Sequence, residues 1–195
     1  MPSFSAPNRV VWEYFLSLRL LAENAQKAES PELARQQAAL ALIMSVTAVE
    51  VFMNLWFRIR VEESANPVHR STFEEDLKKR RSLESKLKNW PSRYLSHALD
   101  LTSGAGAKFA LVKDKRNAIV HFTSTHETID ISSVRICGMA DTTQYDGLTA
   151  ADAHEALDAA IQLVAEVFRS AGIKEKALDG AMHSWTGITD FGLYK

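Results

Sequence analysis

The chain has a single cysteine, Cys137, so it cannot form an intramolecular disulfide. Chains without disulfides are typical of reducing compartments, and the first residues lack the cationic, apolar and small-residue order of a signal peptide. The chain also lacks an uninterrupted apolar run that would span a membrane, because polar residues such as Glu50 and Asn54 interrupt the tract from Ala38 to Phe57. We therefore expect a cytoplasmic protein without a membrane span.

Net charge is also nearly absent, at −1 for the whole chain, but the charges are segregated. Residues 78–116 contain 11 Lys/Arg and 3 Asp/Glu, whereas residues 1–77 contain 7 and 10, and residues 117–195 contain 5 and 11. Polyanions are attracted to clustered charge and not to a chain-wide mean. The basic segment therefore indicates a polyanion-binding surface or, as the simpler alternative, a solvated lysine-rich helix face.

Glycine and proline are scarce, and the hydrophobic spacing is mostly helical. The pattern predicts helices over 7–29, 31–62, 71–88, 107–122 and 149–171, with a less distinct helix over 92–101 and one or two helical turns after Ile173. In this interpretation Asn66-Pro67 is a break, Ser71 to Glu74 is a capping box, Pro91 stops the third helix and Gly104 to Gly106 is a flexible joint.

Alternating apolar residues around Ser132-Ser133 predict a small β-hairpin over 127–138. We therefore expect a single all-α domain over 1–195, with a core at about 10–171. Residues 123–148 would form an insertion that contains the hairpin, and residues 173–195 would form a C-terminal tail.

The most informative motif is R-N-x-x-x-H, formed by Arg116, Asn117 and His121 at the end of the basic segment. It combines a permanent cation, an amide and an imidazole that titrates near neutral pH. These groups suit phosphodiester cleavage without a metal ion or cofactor: the imidazole acts as base or acid, and the guanidinium holds phosphate oxygens. One chain offers one such histidine, so a symmetric dimer would supply both an acid and a base.

The spacing constrains this site. Asn117 and His121 share a helix face, whereas Arg116 lies farther round, so the three converge on one phosphate only at a helix end such as Thr123 to Thr125. The motif also occurs by chance in about one chain in a hundred of this length. The alternative is an ordinary helix C-terminus, where Asn and His cap carbonyl groups and Arg favours the helix dipole.

Together with this motif, the segment Glu50-Val-Phe-Met-Asn54 resembles the E-x-x-x-N pattern of the HEPN superfamily. The order of elements is also similar: two long helices, a charged third, the motif helix and an amphipathic closing helix. The resemblance covers about Val10 to Ala171. It implies an HEPN-like helical bundle and a metal-independent ribonuclease, typically a toxin or defence enzyme, that acts as a homodimer. It also implies 2′,3′-cyclic phosphate and 5′-hydroxyl products, and an antitoxin partner that nothing in the sequence identifies.

In that reading Arg116 stabilises the phosphate, Asn117 is an orienting donor and His121 is the general base or acid. The expected contacts with the RNA backbone are basic residues of the charged segment: Lys113, Lys115, Lys78, Lys79, Arg80 and Arg81. Two alternatives stay open, a non-catalytic HEPN scaffold that binds RNA, nucleotide or protein, and a helical interaction protein with a coincidental motif.

Glu50 and Asn54 lie on one face of an apolar helix, and an unpaired buried carboxylate would cost several kcal/mol. We therefore expect Glu50 to pair with Arg116, Asn117 or His121, either to orient the catalytic groups or only to fix helix register. His121, His126 and Glu127 are a weaker alternative as metal ligands, because their spacing matches no known site.

Overall fold

Local capping signals set where most helices of this protein begin. The structure, a computed structural model, describes residues 5–95, 97–121, 127–131 and 134–188. In these ranges the chain forms eight helices and two strands: α1 Pro7–Gln26, α2 Pro31–Glu63, α3 Pro67–Lys78, α4 Leu83–Tyr94, α5 Gly104–His121, β1 Glu127–Ile131, β2 Val134–Met139, α6 Thr143–Asp146, α7 Ala150–Ser170 and α8 Glu175–Thr186. The all-α expectation is confirmed.

Helix α2 is the centre of the bundle. It begins at Pro31, where the Ser30 side chain accepts a hydrogen bond from the Leu33 amide. It packs against α1, α5 and α7, and it buries large side chains such as Leu42 and Phe52. Phe52 meets Phe168 of α7 edge to face at 5.4 Å between ring centroids. The apolar tract of the sequence is therefore the principal core element.

The same helix is long and apolar enough to cross a membrane by length and composition alone. Among the described residues it is the one helix with this property, and 56% of its most apolar window is buried inside the molecule. Burial within the bundle accounts for its hydropathy, as for the core helix of other globular proteins.

The third predicted helix, 71–88, is wrong in both its start and its extent. The predicted break at Asn66-Pro67 does separate α2, which ends at Glu63, from the next helix. Asn66 also caps α3 by accepting hydrogen bonds from the Val68 and His69 amides, so α3 begins at Pro67 and not at Ser71. The chain then turns after Lys78, and Arg80 takes a left-handed conformation with φ of 49°. One predicted helix is therefore two helices joined by a basic turn.

Helix α4 also extends through Pro91, which the sequence analysis takes as a stop. Pro91 and the preceding Trp90 are both buried, and the Pro91 carbonyl accepts from the Leu95 amide at 2.9 Å. Burial of these rings outweighs the lost backbone hydrogen bond. The predicted helix over 92–101 is correspondingly absent, because residues 97–103 are not helical where the structure describes them.

The segment before α5 is tightly bonded and does not behave as the flexible joint that the glycines suggest. The Asp100 carboxylate accepts hydrogen bonds from the amide and hydroxyl of Thr102, both at 2.7 Å, and from the Ser103 hydroxyl at 2.6 Å. A side chain at Gly106 would overlap the Asp100 carbonyl oxygen. The glycine therefore permits the close approach that fixes where α5 starts.

The predicted hairpin is confirmed: β1 and β2 are antiparallel, with Ile129 opposite Ile136 and Ile131 opposite Val134. Its turn, Ser132-Ser133, and the expected helix end at Thr123 to Thr125 lie outside the described residues. After α7, the tail forms a full helix, α8, which is longer than the one or two turns expected. Trp185 of α8 packs edge to face on Phe52 at 5.8 Å, so α8 docks on the core.

Candidate functional site

The candidate site lies on the last two turns of α5. Nη1 of Arg116 donates a hydrogen bond to Oδ1 of Asn117 at 3.0 Å, and both side chains are half-buried. His121 is exposed and is the last residue of the helix that the structure describes. The amide therefore holds the guanidinium, while the imidazole is open to solvent at the helix end.

The helical spacing places Lys113, Asn117 and His121 in one row along α5, since each is four residues from the next. Arg116, one residue before Asn117, lies beside this row. Its Nε is buried and has no hydrogen-bond partner among the described residues. The Arg116 guanidinium thus has one nitrogen, Nη1, bonded to Asn117 and another, Nε, without a hydrogen-bond partner among the described residues.

A matching acceptor on α2 is also unsatisfied. Oδ1 of Asn54 is buried and, within the described ranges, accepts no hydrogen bond. Helices α2 and α5 pack against each other, so an orphan donor on one and an orphan acceptor on the other belong to the same packed pair of helices. A buried group without a partner costs about 1–3 kcal/mol. Buried polar atoms without a partner are uncommon in folded proteins, so both atoms mark the α2–α5 contact for study.

Glu50 does not pair with the motif. Its Oε1 accepts a hydrogen bond from Nζ of Lys86 on α4 at 2.5 Å, so the expected pairing with Arg116, Asn117 or His121 is wrong. Glu50 is also less buried than expected, because its side chain is 40% exposed, whereas that of Lys86 is 5% exposed. The buried member of this pair is the lysine, and the carboxylate compensates its charge.

Lys86 is the residue that sequence reasoning missed. It lies 5.6 Å from the ring centroid of Trp90, in a position for a cation–π contact. The available signal was its position on α4: it shares the apolar face of Leu83, Leu87 and Trp90. A lysine on a buried face requires a nearby anion, and Glu50 on an apolar helix requires a nearby cation.

The two lysines of the motif helix already have acidic partners. Nζ of Lys113 is 2.9 Å from Glu84 of α4, and Nζ of Lys115 contacts Asp152 at 2.8 Å and Glu155 at 3.0 Å on α7. Hydrogen bonds that Lys115 donates to the Asp152 and Glu155 carboxylates raise its pKa. Burial alone would raise the pKa of Asp152, but the bonds from Lys115 and Thr149 lower it overall. These ion pairs connect α5 to α4 and to α7.

The basic turn between α3 and α4 is more open to a polyanion. Lys79 pairs with Glu75 at 2.5 Å, and Arg81 pairs with the buried carboxylate of Asp76 at 3.2 Å. The other two, Lys78 and Arg80, are exposed and form no ion pair with any residue that the structure describes. Of the six basic residues expected to contact RNA, Lys78 and Arg80 would therefore lose no ion pair on binding a phosphate.

A groove in the described part of the molecule lies on another side of the motif helix. It has a volume of about 580 Å³ between α5 and α7, and its lining includes Leu111, Ala118, Asp158 and Ala159. None of the three motif residues lines it. The groove and the motif therefore use different residues of α5.

Metal ligands do not gather anywhere in the described ranges: no three His, Cys, Asp or Glu side chains lie where they would hold one ion. His126, one of the three alternative ligands, lies outside those ranges.

No family model, no curated protein and no solved structure matches this chain.

Proposed function

We propose that the protein is a metal-independent endoribonuclease of the HEPN type. The observation that carries the proposal is the arrangement on α5: Arg116 held by Asn117 at 3.0 Å, with an exposed His121 four residues beyond Asn117 on the same face. An ordinary helix terminus needs capping groups, but it does not need an amide that orients a guanidinium.

In the proposed reaction the ribose 2′-oxygen attacks the adjacent phosphorus and the bond from phosphorus to the 5′-oxygen breaks. A base takes the 2′-hydroxyl proton and an acid protonates the leaving 5′-oxygen, which leaves a 2′,3′-cyclic phosphate and a 5′-hydroxyl. His121 is the base or the acid. Arg116 stabilises the charge on the crowded phosphate through guanidinium N–H groups that Asn117 does not occupy.

This reaction uses two proton-transfer groups, and each chain supplies one histidine in the motif. We therefore propose that the active species is a homodimer, in which two copies of the motif face one cleft across a two-fold axis. The exposed position of His121 at the end of α5 supports a site that a second chain completes.

RNA would approach along the basic turn between α3 and α4. Lys78 and Arg80 are the primary contacts in this proposal, because neither has to leave a carboxylate to bind phosphate. Lys113 and Lys115 contribute less, since RNA would compete with Glu84, Asp152 and Glu155 for them. A toxin or defence role, with an antitoxin as partner, follows from the resemblance alone.

One observation favours the alternative of a non-catalytic HEPN scaffold: Arg116 is half-buried and both lysines of its helix are engaged. Incubation of the purified protein with RNA in EDTA separates the possibilities, with a 2′-O-methyl copy of the same RNA as control. The ribonuclease cleaves only the RNA with free 2′-hydroxyls and leaves cyclic phosphate ends. RNA binding without cleavage indicates the scaffold, and neither activity indicates a protein-interaction domain.

A further inference from the structure

The groove between α5 and α7, here the α5–α7 groove, has the size of a small-molecule site. Its volume is about 580 Å³, and pockets that enclose small ligands typically measure about 300–1,000 Å³. Val112 and Ala159 of its lining are 4% and 2% exposed and give it an apolar floor, while Leu111, which is 65% exposed, lies at its rim. None of the motif residues lines it, so the groove is separate from the candidate ribonuclease site.

Two lysine bridges cross between the helices along this groove. Nζ of Lys108 is 3.1 Å from Oε1 of Gln162, and Nζ of Lys115 is 3.0 Å from Oε2 of Glu155. The bridges are seven residues apart on each helix, which corresponds to about 10 Å of helix, and their order shows that α5 and α7 are antiparallel here. This geometry places Asp158 of α7 between the two bridges.

Asp158 is a carboxylate of the groove without a partner. Its side chain accepts no hydrogen bond and forms no ion pair with any residue that the structure describes. Partial loss of contact with water raises the pKa of Asp158, and the charges of His154 and Lys108 oppose this shift without cancelling it. A cation in the groove would therefore gain a carboxylate that no side chain of the described protein occupies.

The charge of the lining also favours a cation. Two lysines and three carboxylates line the groove, and the charge of Lys115 is compensated by Glu155 and by Asp152. Lys108 is the other lysine, and its ammonium donates to the uncharged amide of Gln162. An apolar floor beside an unpaired carboxylate is complementary to a molecule that combines an apolar body with one positive charge.

We propose that the α5–α7 groove binds a small organic amine, whose ammonium pairs with Asp158 and whose apolar body packs against Leu111 and Val112. A helix of a partner protein does not fit, because the bridges from Lys108 and Lys115 cross the path that a helix along the groove would follow. The proposal goes beyond the ribonuclease and does not depend on it, since the motif and the groove share no residue.

The test is a titration with phenylbutylamine, followed by NMR of the isotope-labelled protein. This probe joins a phenyl group to a primary amine, and phenylbutanol and phenylbutyrate are its neutral and anionic counterparts. The amine is expected to shift the amide signals of Val112 and Ala159 with a Kd of about 1 mM. The alcohol should bind at least about fivefold more weakly, because it cannot form the ion pair, and the butyrate should bind more weakly still.

Two variants separate the ionic from the apolar contribution. Asp158→Asn should lower the affinity for the amine at least about fivefold and leave the affinity for the alcohol unchanged. Leu111→Ala should lower both affinities to a similar extent, because it removes apolar contact and not charge. Asp179→Asn on α8 and Val68→Ala on α3 are the matched controls: Asp179 is exposed as Asp158 is, and Val68 is 67% exposed. Neither control should change either affinity.

Three results would overturn the proposal. The first is a wild type whose α5 and α7 signals do not shift at millimolar amine, and the second is equal affinity of the wild type and Asp158→Asn for the amine. The third is preference for the butyrate over the amine, which would assign the groove to an anion that binds Lys108. None of these measurements involves RNA, so they leave the proposed ribonuclease activity to its own test.

Discussion

Lys86 and Glu50 form an ion pair between α4 and α2, with 2.5 Å between Nζ and Oε1. The lysine is 4% exposed, and its ammonium also lies over the Trp90 ring. Because Glu50 belongs to the same helix face as Asn54, this pair fixes α4 against the part of α2 that adjoins the motif helix. Glu50 thus positions α4 against α2 and does not contact the motif.

We expect substitution of Glu50 to lower the free energy of unfolding more than substitution of Lys86 does. Glu50→Gln leaves a buried ammonium without a counter-ion and should lower the free energy of unfolding by about 2 kcal/mol, whereas Lys86→Met should cost less than about 1 kcal/mol. In the second variant the remaining carboxylate is 40% exposed and can be solvated. Urea denaturation of both variants and of the double variant measures the difference. A larger loss for Lys86→Met would contradict this account of the pair.

Asn117 should act through Arg116. Asn117→Leu removes the acceptor that holds Nη1 at 3.0 Å and is expected to lower kcat about tenfold, the equivalent of one hydrogen bond to a charged group. Asn117→Asp keeps an acceptor but compensates the guanidinium charge, so its principal effect should be a higher KM for RNA. Steady-state cleavage kinetics, with unfolding curves for both variants, distinguish them. Equal effects on kcat and KM in both would argue against an orienting role.

The basic turn should carry the salt dependence of RNA binding. Each phosphate contact of a single strand contributes about 0.7 to the slope of log K against log salt, so Lys78→Gln with Arg80→Gln should reduce the slope by about 1.4. Lys115→Gln should instead lower stability, because Lys115 bridges Asp152 and Glu155. Lys176→Gln, an exposed cation on α8, is the control for net charge. An unchanged slope in the double variant would place the RNA path elsewhere.

Caps and hydrophobic spacing predicted most of the helices. They did not predict contacts between residues that are distant in the sequence. Ser30-Pro31 marks the start of α2 correctly because the cap and its amide are three residues apart. Asn66-Pro67 likewise combines an N-cap with a proline at the first helical position and begins α3. Pro91 remains helical because its ring and Trp90 are buried. Propensity alone cannot supply that burial.

The same distinction applies to the site. Arg116, Asn117 and His121 lie within six residues of sequence, so their helical placement was predictable, and the hydrogen bond between the first two adds to it. Glu50 finds its partner 36 residues away. Its exposed fraction and its partner depend on where α4 packs, and no local pattern in α2 specifies that position.

The start of α5 should make stability depend on acid pH. Hydrogen bonds from the side chains of Ser103 and Thr102, and from the Thr102 amide, lower the pKa of Asp100 to about 2. The folded pKa is below the unfolded value, so this contribution is complete above about pH 4 and is lost as the pH falls towards 2. Asp100→Asn should therefore lose less stability than the wild type over this range in urea titrations. Parallel losses in the two proteins would contradict the assigned pKa.

His121 is the residue on which the proposed ribonuclease activity depends. The most direct measurement is the rate of RNA cleavage in EDTA by wild type and by His121→Ala, with His183→Ala on α8 as a matched control, since both histidines are exposed. We predict that His121→Ala lowers the rate by at least about a hundredfold, the usual contribution of a general acid or base, while His183→Ala leaves it unchanged. Equal rates for the wild type and a folded His121→Ala variant would contradict the central claim.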